Sequence, residues 1–134
     1  MITITEKNLL PMILERIPYF QAGYAQHEIY VRSYGGGDSP YGLLDHICGR
    51  LMDIAFRDSH HASVIGQELG RIYEECDLYA KEALGVAVFE ECRLQLDLHA
   101  DQPGYRERVE RVRCILPECG RVWFDAWGTG TPPS

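Results

Sequence analysis

Apolar positions recur along most of this chain at spacings of one, three and four, the period of an α-helix that buries one face. Leu9, Leu10, Ile13, Leu14 and Ile17 form the first such stripe. Thr5 is suited to cap it, with Glu6 in a first turn where the helix dipole favours negative charge. Pro11 falls inside the stripe, which predicts a later start or a bend. Pro18 ends that helix and opens a second, partly aromatic one carrying Tyr19, Phe20, Tyr24, His27 and Tyr30. Gly35-Gly36-Gly37 interrupts the chain, and Asp38 or Ser39 with Pro40 is the expected start of the next helix.

From Tyr41 to Arg57 the positions Leu43, Leu44, Ile47, Leu51, Ile54 and Ala55 keep the helical period. After a turn at Asp58-Ser59-His60-His61, Ser59 is expected to cap a helix reaching Cys76 and burying Ala62, Ile65, Leu69, Ile72 and Tyr73. Asp77 is placed to cap the most apolar stretch, Leu78 to Leu98, whose apolar residues wrap most of the way round and predict a central position. The β-branched run Gly85-Val86-Ala87-Val88-Phe89 favours strand by propensity, but helical sequence on both sides favours helix. Asp101 to Gly104 breaks the chain before a charged helix from Tyr105 to Cys114 and a last one from Pro117 to Trp127. The pattern predicts an all-α, single-domain helical bundle or short stack of antiparallel helix pairs, about six helices over residues 1–127, with 128–134 as a disordered tail.

Composition changes this picture little, and charge changes it more. Over 134 residues the formal net charge is -7 and the sequence pI about 5.1. Such a field disfavours nucleic acid and anionic membrane surfaces, while it favours encounter with a basic protein. Five cysteines, Cys48, Cys76, Cys92, Cys114 and Cys119, form an odd set with no C-x-x-C pair. With no signal-peptide pattern at the start, this predicts a cytoplasmic protein with mostly buried thiols. The longest apolar stretch, Ala83 to Phe89, is too short to span a bilayer.

Candidate chemistry is sparse. Cys114 and Cys119 have a spacing compatible with zinc, but no second ligand pair follows, so no metal or other cofactor is expected. Carboxylates flank Cys76 (Glu74-Glu75) and Cys92 (Glu90-Glu91), raising the thiol pKa and opposing a nucleophilic role. His46, His60 and His61 with Asp45, Asp53 and Asp58 are the one constellation from which an enzyme would be built. Gly35-Gly36-Gly37 lacks the G-K-[ST] ending of a phosphate loop. Trp123, Phe124 and Trp127 are expected to cover the core, with Trp127 equally suited to anchor a partner.

Three stretches carry a family resemblance: Ile17-Pro18-Tyr19-Phe20, Gly85-Val86-Ala87-Val88-Phe89-Glu90-Glu91-Cys92, and Leu116-Pro117 through Trp123 to Trp127. In order and spacing they resemble a family of short acidic all-helical bacterial proteins of unassigned function, some of them presumed immunity proteins of polymorphic toxin systems. The chain departs from that pattern at Glu91, where an apolar residue is expected, and in its glycine-rich insert at Gly35 to Ser39. The resemblance implies a stoichiometric binder of a cognate toxin rather than an enzyme, and it carries over no catalytic residue. A non-immunity helical adaptor or regulatory domain is the alternative. For a basic partner the expected contacts are Glu68, Glu75, Glu90, Asp97 and Asp101, together with Trp127.

Overall fold

The computed structural model of the chain describes residues 3–34, 40–57 and 59–127. Those residues form an all-α helical bundle of seven helices, close to the six expected. They are α1 (Glu6–Arg16), α2 (Tyr24–Ser33), α3 (Pro40–Arg57), α4 (Ala62–Glu75), α5 (residues 78–97), α6 (Tyr105–Ile115) and α7 (Glu118–Ala126). The predicted glycine break, its Asp38 or Ser39 cap and the predicted tail lie outside the described residues.

Helix starts follow local chemistry in two of three predicted places. At α1 the Thr5 N–H donates to Asn8 Oδ1 at 2.6 Å, and at α5 Asp77 Oδ1 accepts from the Ala80 N–H at 2.8 Å. Pro11 is accommodated inside α1 on its exposed side, so the helix begins at Glu6 and not later. Ser59 does not cap α4. Residues Ser59–His61 wind into a short 3-10 turn first, and α4 starts only at Ala62.

The second predicted helix is two elements. Pro18–Gln21 is a 3-10 turn that buries Phe20, and Gly23 then takes φ of 79°, a left-handed conformation that glycine reaches without a Cβ penalty. Only after it does α2 begin, and α2 buries no residue.

α5 is helical throughout, but not uniformly α. It consists of Leu78–Leu84, a π-helical segment Gly85–Glu90, and Glu91–Asp97. The π segment is the centre of the bundle: Gly85, Ala87, Val88 and Phe89 are buried, and it packs against α3 and α7. Two glycines permit that approach. A Cβ on Gly85 would lie 2.3 Å from the Trp123 ring, and one on Gly120 of α7 would lie 2.9 Å from the Phe89 ring. Each helix thus supplies a glycine where the other supplies an aromatic ring. Trp123 is buried as expected and closes this contact by donating Nε1–H to the Tyr73 hydroxyl at 3.0 Å.

One hydrophobic cluster runs through all of this, from Ile4 and Leu9 through Leu44, Ile47 and Ile54 to Leu69, Ile72, Val88 and Phe124. Ile4 joins it from outside any helix. Its N–H donates to the Glu75 carbonyl and its carbonyl accepts from the Asp77 N–H, both at 2.8 Å, a single parallel bridge to the end of α4.

Candidate functional site

The acidic residues expected to meet a partner are mostly engaged within the fold. Glu68 and Glu75, seven positions apart on α4, are brought together by Arg16 of α1. Arg16 lies 2.7 Å from Glu68 and 2.8 Å from Glu75, and Arg71 adds a second contact to Glu68 at 3.0 Å. Burial alone would raise the Glu68 carboxyl pKa, but the hydrogen bonds and charges of Arg16 and Arg71 outweigh it and hold the group below the usual carboxylate range.

Asp97 accepts from Arg93 at 3.1 Å and from the Tyr105 hydroxyl, tying α5 to α6, while Arg93 lies over the Phe124 ring. Glu90 is half-buried on the π segment, and burial pushes its carboxyl pKa up. Asp101 is exposed in the turn before α6, and Trp127 is 36% exposed at the end of α7. Three of the five carboxylates are therefore structural ties, which corrects their expected placement on free outer faces.

The histidine constellation is divided as well. His46 Nε2 lies 2.8 Å from the Phe20 carbonyl and His27 Nε2 lies 2.9 Å from the Gly42 carbonyl. A carbonyl oxygen only accepts, so Nε2 carries the proton in both rings. The two rings sit 5.5 Å apart, with Tyr24 5.6 Å from His46, and together they fasten α2 to α3. Burial lowers the His46 pKa, the Phe20 and Ala22 backbone partly opposes this, and the neighbouring His27 and Arg50 lower it further. Burial and the hydrogen bond to Glu28 push the Tyr24 phenol up to about 12. Asp53 pairs with Arg50 and Arg57, His60 is exposed, and Asp58 lies outside the described residues. Among the described residues no group of three His, Cys, Asp or Glu side chains is arranged to bind a metal ion.

Of the five thiols, Cys48, Cys76 and Cys92 are buried and Cys119 is half-buried, in line with the expectation of mostly buried sulfur, while Cys114 is exposed. Burial first and then Asp77 push the Cys76 thiol up to about 12. An open groove of about 670 Å³ lies between α4 and the α6–α7 connection, lined among others by Ser63, Gln67, Glu118 and Arg121. Its floor includes Gly66, where an added Cβ would meet the Ile115 carbonyl at 2.7 Å.

Several of the carboxylates left without an ion-pair partner among the described residues lie around Tyr41 and Cys48. Glu6 of α1 and Glu82 of α5 lie close enough to the half-buried Tyr41 to add to the effect of burial in raising its phenol pKa. Asp45 follows one turn later on α3. Asp45 and Glu91 both act electrostatically on the Cys48 thiol beneath this surface. Glu6 and Glu82 thus come from two other helices to the neighbourhood of Tyr41, and Asp45 and Glu91 to that of Cys48 on the same helix. Only the fold unites them, and the i, i+4 spacing of the half-buried Tyr41 and the exposed Asp45 was the one local signal in the sequence.

The fold and this surface define a class: a small all-α domain with an acidic, aromatic-centred face. No protein-family model, curated protein or solved structure matches the chain. No helix among the described residues is long and apolar enough to cross a membrane.

Proposed function

We propose that this protein is an immunity protein, which neutralises a cognate bacterial toxin of basic character by binding it stoichiometrically in the cytoplasm, without catalysis of its own. The observation that carries the reading is the acidic group Glu6, Asp45, Glu82 and Glu91 around Tyr41 and Cys48, without an ion-pair partner among the described residues, on a chain of net charge -7. Unpaired carboxylates on one face raise the local concentration of a cationic partner and speed its docking. Tyr41 supplies at their centre the kind of rigid amphipathic ring that anchors interfaces. Burying this face and its surroundings is compatible with an interface of roughly 1,600 Å² in total.

The test pairs survival with kinetics. Co-expression with the neighbouring toxin gene restores growth, and the two proteins co-purify at fixed stoichiometry. Reversing two charges, Asp45→Lys with Glu82→Lys, slows association about tenfold at low salt and flattens its salt dependence. Association that is unchanged in that double variant, with normal folding, overturns the assigned face. Persistent toxicity beside soluble wild-type protein overturns the immunity reading against that toxin.

The adaptor reading is favoured by a different observation. The outer side of α2 exposes Ile29, Tyr30 and Tyr34, with the two tyrosine rings 4.8 Å apart. Binding that is lost in Tyr30→Ala with Tyr34→Ala, and kept in the charge reversals, selects it.

A further inference from the structure

Two of the five thiols meet in the core. Cys48 of α3 and Cys92 of α5 bring their sulfur atoms to 3.5 Å, within a hydrogen bond of each other, although 44 positions separate them in the chain. Their exposures are 2% and 0%. An S–S bond is about 2.05 Å long, so the sulfurs need to close by roughly 1.5 Å. Neither residue takes part in the acidic face, and each alone reads as a small buried hydrophobe. Their juxtaposition gives them a chemistry that neither has alone.

We propose that Cys48 and Cys92 form an oxidative modification site, converted by hydrogen peroxide into an intramolecular disulfide joining the two central helices. In the closed core Cys92, burial and the nearby carboxylates hold the Cys48 thiol protonated. The reaction therefore belongs to local openings in which solvent restores ordinary thiol acidity. One thiolate then attacks a peroxide oxygen and becomes a sulfenic acid, with the other oxygen leaving as water after protonation. The second thiol, already in contact, attacks the sulfenic sulfur as its thiolate, forms the S–S bond and expels hydroxide, which its own proton converts to water. Two thiols and one peroxide give one disulfide and two waters; sulfur is oxidised by two electrons and peroxide oxygen is reduced by two. A neutral oxidant little larger than water suits this site, because it has only to enter during local openings of the helices. Asp45 and Glu91, whose charge already acts on Cys48, oppose entry of larger anionic oxidants.

Trypsin separates the cysteines for the test. Cys48 falls in the peptide 33–50, Cys92 in 82–93, Cys76 in 72–81, and Cys114 with Cys119 in 114–121. The full chain is treated with hydrogen peroxide, alkylated in denaturant, digested without reductant and analysed by mass spectrometry. The expected product is peptide 33–50 linked to 82–93, lighter than their sum by two hydrogen atoms, released by dithiothreitol and missing from Cys92→Ser. Recovery of both peptides unlinked, alkylated or over-oxidised to sulfinic acid, overturns the proposal, as does a link from Cys48 to any other cysteine. The wild-type peptide map decides between these outcomes even if the serine variant folds poorly.

Discussion

At the scale of single residues, the bundle turns on where side chains are absent. Gly85 leaves room for the Trp123 ring and Gly120 for the Phe89 ring, so a methyl group at either position must displace an aromatic that is itself buried on all sides. Gly85→Ala is expected to destabilise the protein by about 1–3 kcal/mol, since overfilling a close-packed core forces strained rotamers or backbone shifts. Gly49 is the control on α3, exposed and with nothing within 4 Å of an added Cβ. There the only change is reduced backbone freedom in the unfolded chain and better helix propensity, so Gly49→Ala should add about 0.5–1 kcal/mol. Opposite shifts of the urea midpoint in the two variants check the argument, and equal shifts defeat it. The sequence announced Thr5 and Asp77 as caps because a cap acts on its own next turn. It could not announce Gly85, because the ring that requires it arrives 38 positions later.

At the scale of elements, α2 is the least embedded helix, burying no residue and fastened to α3 largely through His27 and His46. Because the folded protein lowers the pKa of His46, the unfolded chain binds the proton more readily. Stability is therefore full above the free imidazole value of about 6.5 and declines as the pH falls below it. The groups facing His46 are His27, Arg50, Tyr24 and the backbone at Phe20 and Ala22. Amide protection factors within residues 24–33, taken relative to the unstructured rate at each pH, are expected to fall between pH 7 and roughly pH 5, with a smaller fall in His46→Gln. An equal fall in that variant would remove His46 as the cause. Helix periodicity made most of these elements legible from the apolar stripes. It missed the division at Gly23, which interrupts the pattern for fewer residues than one helical repeat samples. It placed the turn at Ser59–His61 but did not show that this turn, rather than a Ser59 cap, delays α4 to Ala62.

For the whole molecule, the acidic balance coexists with carboxylates that are recruited to hold distant parts together. Arg16 is 52 positions from Glu68 and 59 from Glu75, and no sequence period connects them. That is why these two read as free surface charges in the sequence, while the face around Tyr41 went unseen: pairing across helices decides which charges remain available. The folded-state pKa of Glu68 is depressed, so its stabilising contribution is present at neutral pH and fades as the pH drops through about 4.5 and below. Arg16→Met keeps an apolar stem and removes the charge, and should cost about 1–2 kcal/mol at neutral pH. The same variant should lose less stability than wild type between neutral and strongly acidic solution. Thermal or urea melts across that range test both statements, and parallel curves for the two proteins would discount the tie.

The bridge between Ile4 and the end of α4 has a consequence for how the chain is made. Its partners, the Glu75 carbonyl and the Asp77 amide, emerge from the ribosome some 70 residues after Ile4 does. At a translation rate of roughly 5–20 residues per second, the opening segment waits about 4–14 seconds for these two hydrogen-bond partners. Until then Ile4, one of the most deeply buried residues of the finished protein, faces the cell uncovered. Synthesis, and not only sequence, thus sets the order in which this bundle closes: α1 can meet the Pro18–Gln21 turn and α3 early, but the bridge at Ile4 forms only once the end of α4 has arrived.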